Sequence, residues 1–227
     1  TGNMRKLFTS ESVTAGHPDK LCDQISDAVL DAILREDPMA RVACETCATT
    51  GLILVMGEIT TNTYVPIQDI ARSTAIGLGY DSAEVGFDGN TCAVITAVNE
   101  QSPDIRDGVS NSTETRGLAG IAQKTGAGDQ GMMFGYATDE TPERLPMPIA
   151  LAHRLTRRMD EVRASKSLPW MRPDGKSQVS VAYENGKPIW AHNVVISTQH
   201  AKEAHQATIH EAMVEEVIKK VIPEGLL

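Results

Sequence analysis

Two short stretches hold residue types that could handle a phosphate-bearing ligand. The first is Gly16-His17-Pro18-Asp19-Lys20. Apolar residues recur every four positions just after it, so the stretch falls at the start of a helix. Free backbone N–H groups and the helix dipole favour an anion there. Asp19 offers hard oxygen ligands to Mg²⁺, which would bridge to phosphate oxygens, and His17 and Lys20 could donate to phosphate. The same residues also suit a plain helix start, with His17 as a cap, Asp19 against the dipole and Lys20 in solvent. Residue types alone leave both readings open. The second stretch, Arg172-Pro173-Asp174-Gly175-Lys176-Ser177, reads as a turn followed by a strand. Pro-Asp-Gly is common turn chemistry, and a lone Lys176 is ordinarily solvated.

Other residues are ambiguous by type. Glu45 and Glu58 fall within expected strands. Facing inward, each needs a metal or an ammonium partner; facing outward, neither carries information. Gly126-Ala127-Gly128-Asp129-Gln130-Gly131 fits G-x-G-x-x-G. A dinucleotide site needs a strand before that motif and a helix after it. Here a polar loop precedes and a strand-like run follows, so the glycines read as a sharp turn passing close to a ligand. The six histidines form no metal-ligand spacing, and His205 and His210 read as surface residues. Cys44 and Cys47 match C-x-x-C. On a strand, residues three apart face opposite sides, so they read as small buried or half-buried thiols, not a redox pair.

The elements that must position these residues repeat. Lys6 to Ser10 reads as a strand. A helix from Pro18 to Glu36 carries Leu21, Ile25, Val29 and Ile33 on one face, with Leu30 and Leu34 widening it. Arg41 to Thr49 and Leu52 to Thr60 are strands around a turn at Thr50-Gly51. Pro66 opens a helix to Gly77, and Cys92 to Asn99 is a strand. The order β-α-β-β-α-β then begins again. Gln130 to Tyr136 is strand-like, and Pro148 to Arg163 is a helix with Ile149, Ala152, Leu155, Met159 and Val162 on one face. Val179 to Tyr183 and Ile189 to Ser197 form a hairpin across Asn185-Gly186. Glu203 to Val221 is a helix. The expected class is α/β (α+β two-layer), in units 1–100 and 129–227. A Gly-rich connection, 101–128, reads as a gating lid or a linker, the lid being favoured. The second unit stops before its closing strand. One sheet face per unit is left for packing against another sheet, within the chain or between subunits.

Composition narrows the partners. The net charge is −9, aromatics make up 4%, and no Lys/Arg run forms a basic stripe. Nucleic acid is therefore an unfavoured partner. The longest apolar stretch, Leu52 to Met56, is far too short for a bilayer span. The chain is expected to be cytoplasmic, with Met4 as its natural start and residues 1–3 an added scar.

Seven segments, in order, resemble the S-adenosylmethionine synthetase (methionine adenosyltransferase) family. They are Phe8-Thr9-Ser10-Glu11-Ser12-Val13 running into Gly16 to Lys20, Ala43-Cys44-Glu45-Thr46, Gly57-Glu58-Ile59-Thr60, Gln101-Ser102-Pro103-Asp104-Ile105, Gly126 to Gly131, Arg172 to Val179, and Ser197-Thr198-Gln199-His200. The resemblance implies formation of S-adenosylmethionine from ATP and L-methionine, followed by hydrolysis of tripolyphosphate. It implies a fold of three similar units, the third absent here, and a homodimer or homotetramer with the site between subunits. By position it implies that His17 contacts ATP phosphate, Asp19 binds Mg²⁺ and Glu45 binds K⁺. Glu58 and Gln101 would contact methionine, and Asp129 would be an active-site acid near both the nucleoside and methionine. Asp174, Gly175 and Lys176 would bind ATP, with Lys176 near the reacting atoms. Such a displacement needs alignment and charge stabilisation more than proton transfer. A unit charge pair at about 4 Å is worth roughly 4 kcal/mol at an effective dielectric near 20, so a few cations would decide the rate.

Overall fold

A computed structural model describes residues 5–104 and 131–226. The expected lid, and the motif at Gly126 with Asp129, fall mostly or wholly outside them. Strand β1 (Arg5–Val13) leads to helix α1 (Pro18–Glu36). Strands β2 (Arg41–Thr49) and β3 (Leu52–Thr60) follow, then α2 (Ile67–Gly77). A small hairpin, β4 (Asp81–Ser82) and β5 (Phe87–Asp88), precedes β6 (Ala93–Asn99). The second half contains α3 (Met147–Ala164), β7 (Met171–Glu184) and β8 (Lys187–His200). Its last helix, α4, begins at Gln206–Ala212, continues through a π-helical stretch at Met213–Ile218 and ends at Lys219–Val221.

Local signals explain most boundaries. Pro18 opens α1, and Leu21, Ile25, Val29 and Ile33 are all at most 3% exposed. Gly51 turns β2 into β3 at φ 76°. Asn185 and Gly186 both have positive φ (53° and 80°), as a type I′ hairpin turn requires. Helix α3 buries Ala152, Leu155, Met159 and Val162 against β7.

The sheets are not assembled as the repeat suggests. Strands β2, β3 and β6 form one sheet, with β2–β3 antiparallel and β3–β6 parallel. Strand β1 does not join them. It runs antiparallel along β7, from Arg5 opposite Glu184 to Val13 opposite Lys176, giving the order β1-β7-β8. Thr9 bonds Ser180 across this pairing at 2.7 Å, and Ser12 ties β1 to Thr156 of α3 at 3.0 Å. The units expected at 1–100 and 129–227 thus share a sheet.

Three further expectations change. Residues 131–138 are not a strand; β1 and β8 occupy both edges of β7, and Met132, Met133, Phe134 and Tyr136 are exposed. Pro173-Asp174-Gly175 is not a separate turn, because β7 begins at Met171 and absorbs it as a register shift against β8. Cys47 is exposed, whereas Cys92 is buried and Cys22 and Cys44 are half-buried. Alternation on β2 points Cys44 toward α1 and Cys47 away.

Each three-stranded sheet has helices on one face. The opposite faces display exposed apolar side chains, Leu7 and Val195 on one sheet and Met56 and Ile95 on the other. No described helix is long and apolar enough to cross a membrane.

Candidate active site

The turn between β1 and α1 lies directly on the start of β7. The Thr14 N–H donates to the Gly175 carbonyl at 2.9 Å, and the Thr14 hydroxyl donates to the Pro173 carbonyl at 2.8 Å. A Cβ on Gly16 would lie 2.4 Å from Pro173 Cβ and 2.5 Å from its carbonyl oxygen. Only glycine admits so close a backbone approach. Two more side chains hold the turn. Asp160 of α3 accepts from the Ala15 N–H at 3.0 Å, and the Tyr80 hydroxyl donates to the Gly16 carbonyl. Two motifs almost 160 residues apart in sequence are therefore one piece of structure.

His17 is the N-cap of α1 and is 8% exposed. Its Nδ1 accepts from the Asp19 N–H at 3.1 Å. That bond places the ring proton on Nε2, leaving an N–H donor. The cap is thus observed, and it leaves Nε2–H without a protein partner among the described residues. The Asp19 side chain is 87% exposed, and Lys20 pairs with Asp23 at 3.1 Å.

Asp174 is half-buried, and its Oδ1 is buried without a hydrogen-bond partner among the described residues. It lines a cavity of about 300 Å³ with Pro18, Tyr80, Phe87 and Gln199. Burial, with the Asp174 charge adding to it, pushes the Tyr80 phenol up to about 12. Gln199 bridges the elements. Its Oε1 accepts from the Asp174 N–H at 3.3 Å, and its Nε2 donates to the Val85 carbonyl at 2.7 Å. Gly175 is packed tightly between Thr14, Met159 and the Ser197 carbonyl. Lys176 is exposed, opposite Val13 on β1 and Ser197 on β8.

Glu45 and Glu58 belong to the other sheet, on its face away from the helices, and both are exposed. Glu45 pairs with Met56 and Ala43 with Glu58, so the carboxylates are diagonal cross-strand neighbours. Such neighbours lie about 7–8 Å apart. Neither has an ion pair among the described residues, and a cation between them would relieve their repulsion. Gln101 follows β6, half-buried, with its Oε1 buried and unpartnered among the described residues. Residue types alone do not single out Tyr80, Asp160 or Thr14. Asp160 offered one signal, a carboxylate one position past Met159 on the buried side of α3.

Comparison with known proteins decides the family. Residues 5–103 match the N-terminal domain of S-adenosylmethionine synthetase, and residues 124–227 match its central domain. The chain belongs to the S-adenosylmethionine synthetase family. The S-adenosylmethionine synthase of Clostridium tetani is 58% identical over 225 residues, covering 99% of this chain and 58% of that relative. Those of Desulforudis audaxviator and Thermus thermophilus are each 56% identical over 224 residues, covering 98% of the chain and 57% of each relative. The chain thus spans less than two thirds of these synthetases.

Proposed function

We propose that the chain forms part of a methionine adenosyltransferase, which makes S-adenosylmethionine from ATP and L-methionine and releases phosphate and diphosphate. The observation that carries this reading is the docking of the Thr14-to-His17 turn on Pro173 to Gly175. It joins two family segments into one wall, against which a triphosphate can lie.

In this reading the methionine sulfur attacks C5′ of ATP. The S–C5′ bond forms as the C5′–O bond breaks, and tripolyphosphate leaves with the bonding electrons; water then cleaves one P–O–P bond of it to give phosphate and diphosphate. His17, through Nε2–H, and Lys176 stabilise charge on the leaving group. Asp174 and Gly175 place the nucleotide, and the unpaired Asp174 Oδ1 supplies an acceptor for it. Glu58 takes the methionine ammonium group, and Gln101 supports it through the free Oε1. Asp129 acts beside the nucleoside and methionine.

The residues present fit the expected ions. Mg²⁺ is commonly held by one or two carboxylates plus substrate phosphates, and the exposed Asp19 is such a carboxylate beside the wall. When bound, the ion would neutralise phosphate charge. Glu45, diagonal to Glu58 and without an ion pair among the described residues, suits K⁺. The exposed apolar faces of the two sheets suit self-association into a homodimer or homotetramer.

A second reading is a catalytically incomplete nucleotide-binding or assembly fragment. The chain's 58% coverage of a relative favours it. The protein is incubated with ATP, L-methionine, Mg²⁺ and K⁺, and S-adenosylmethionine is followed by chromatography. Product from this chain supports the transferase reading. Product only from a longer version supports the fragment reading, and no product from either overturns both.

A further inference from the structure

We propose that this chain carries a second anion site, in a different cavity from the one that Asp174 lines though bordering the ATP wall at Pro173, formed by Arg163, Lys166 and Arg172 and suited to phosphate or diphosphate. These three basic residues line one cavity of about 280 Å³, together with Gly79, Asp81 and Pro173. It lies across the β4–β5 hairpin from the cavity that holds Asp174, and of the residues lining the two, only Val85 is shared. In a chain of net charge −9, three cations on one small concavity stand out. They come from different elements: Arg163 from the last turn of α3, Lys166 from the loop after it, Arg172 from β7.

A simpler account is that basic residues complement the negative end of α3. It covers Arg163 and Lys166 but not Arg172, which belongs to a strand. Three of the last four carbonyls of α3 are also already occupied. The Lys166 N–H donates to the Arg163 carbonyl at 3.0 Å, the Ser165 N–H to that of Glu161 at 2.9 Å, and the Ser165 hydroxyl to that of Val162 at 2.8 Å. The cations are not consumed in capping.

Local carboxylates leave the site a positive excess. Asp160 lies 4.0 Å from Arg163 Nη2, but its other oxygen is held by the Ala15 N–H. Asp81 is the one carboxylate on the cavity wall among the described residues. Arg172 also borders a neighbouring cavity with Glu84 and Glu203, yet it pairs with neither. Lys166 and Arg172 have no ion pair among the described residues, and Arg163 Nε is buried there without an acceptor. Gly79, with φ 98°, makes room for the Arg163 guanidinium: a Cβ there would lie 2.9 Å from Nη1. Two guanidinium groups and an ammonium offer planar donor forks and a point charge to one multivalent oxyanion.

The test is calorimetric titration with sodium diphosphate, at constant ionic strength, in EDTA to remove divalent cations. Binding to the unmodified protein should weaken at least tenfold in Lys166→Met/Arg172→Met. It should weaken several-fold in Lys166→Met alone, whose exposed side chain can change without disturbing the core. Lys166→Arg should recover it, and His17→Ala should leave it intact. Absence of binding to the unmodified protein would overturn the proposal. So would unchanged affinity in the two methionine variants, or a loss on His17→Ala, which would assign the binding to the ATP wall. The outcome is independent of whether the chain is a transferase.

Discussion

Lys176 and Asp160 make the sharpest claims at the scale of single residues. Lys176 is exposed beside the wall, and its proposed work is charge stabilisation on the leaving group. Lys176→Ala should lower kcat by on the order of 10²–10³ in a catalytically active form, with little change in methionine KM. An effect confined to methionine KM would remove Lys176 from that role. Asp160 acts through structure, by taking the Ala15 N–H. Asp160→Ala leaves that donor unpaired and should cost about 1–3 kcal/mol, measured by urea unfolding. Asp160→Asn keeps an acceptor and should recover most of it. Burial raises the Asp160 carboxyl above the ordinary range, opposed by the Ala15 N–H and Arg163. The folded state therefore binds this proton more tightly than the unfolded chain does. The associated stability is present at low pH and lost as pH rises through the raised value. Asp160→Asn should flatten that part of the stability profile. Asp160 was hard to find from sequence because one carboxylate near a helical stripe says nothing of what lies opposite. The helix start at His17 and Asp19 was legible because capping and first-turn preferences are local properties.

At the scale of elements, legibility followed the range of the interactions. The α1 stripe Leu21-Ile25-Val29-Ile33 was readable because helical spacing is set within four residues, and all four are buried. The Asn185-Gly186 turn was readable because positive φ is a local demand. The placement of β1 was not, since its register with β7 depends on partners far away in sequence, such as Thr9 with Ser180, 171 residues apart. For the same reason the contact of Gly16 with Pro173 is not legible in the sequence, although each motif is legible alone. Gly16→Ala should therefore be costly: the added methyl meets backbone at 2.5 Å. A loss of about 1–3 kcal/mol is expected, with weaker ATP binding, and a thermal melt beside an ATP titration would check both. The approach to α3 offers a pH test. Arg154 pairs with Glu143 at 2.6 Å and holds its carboxyl down to about 2. That contribution is present above the unfolded carboxylate value and lost as pH falls toward 2. Glu143→Gln should remove part of the acid-side slope, more visibly at low salt because the pair is exposed.

For the molecule as a whole, two sheets shielded by helices on one side only must meet something on the other. Leu7, Met56, Ile95 and Val195 are exposed on those faces, and the carboxylates of Glu45 and Glu58 lie among the apolar residues of one. Self-association should therefore appear in sedimentation, and Ile95→Glu should weaken it without unfolding the monomer. A monomer at all concentrations would argue that these faces meet other parts of a longer protein. The central claim remains that His17 and Lys176, brought to one wall by the docking of Thr14 to Gly16 on Pro173 to Gly175, hold the same triphosphate. The most direct measurement is a double-mutant cycle on ATP affinity in Mg²⁺, using His17→Ala, Lys176→Ala and both together. ATP should bind, each single change should weaken it, and the pair should cost less than the summed singles by at least about 0.5 kcal/mol. No ATP binding, or strictly additive losses, would contradict it.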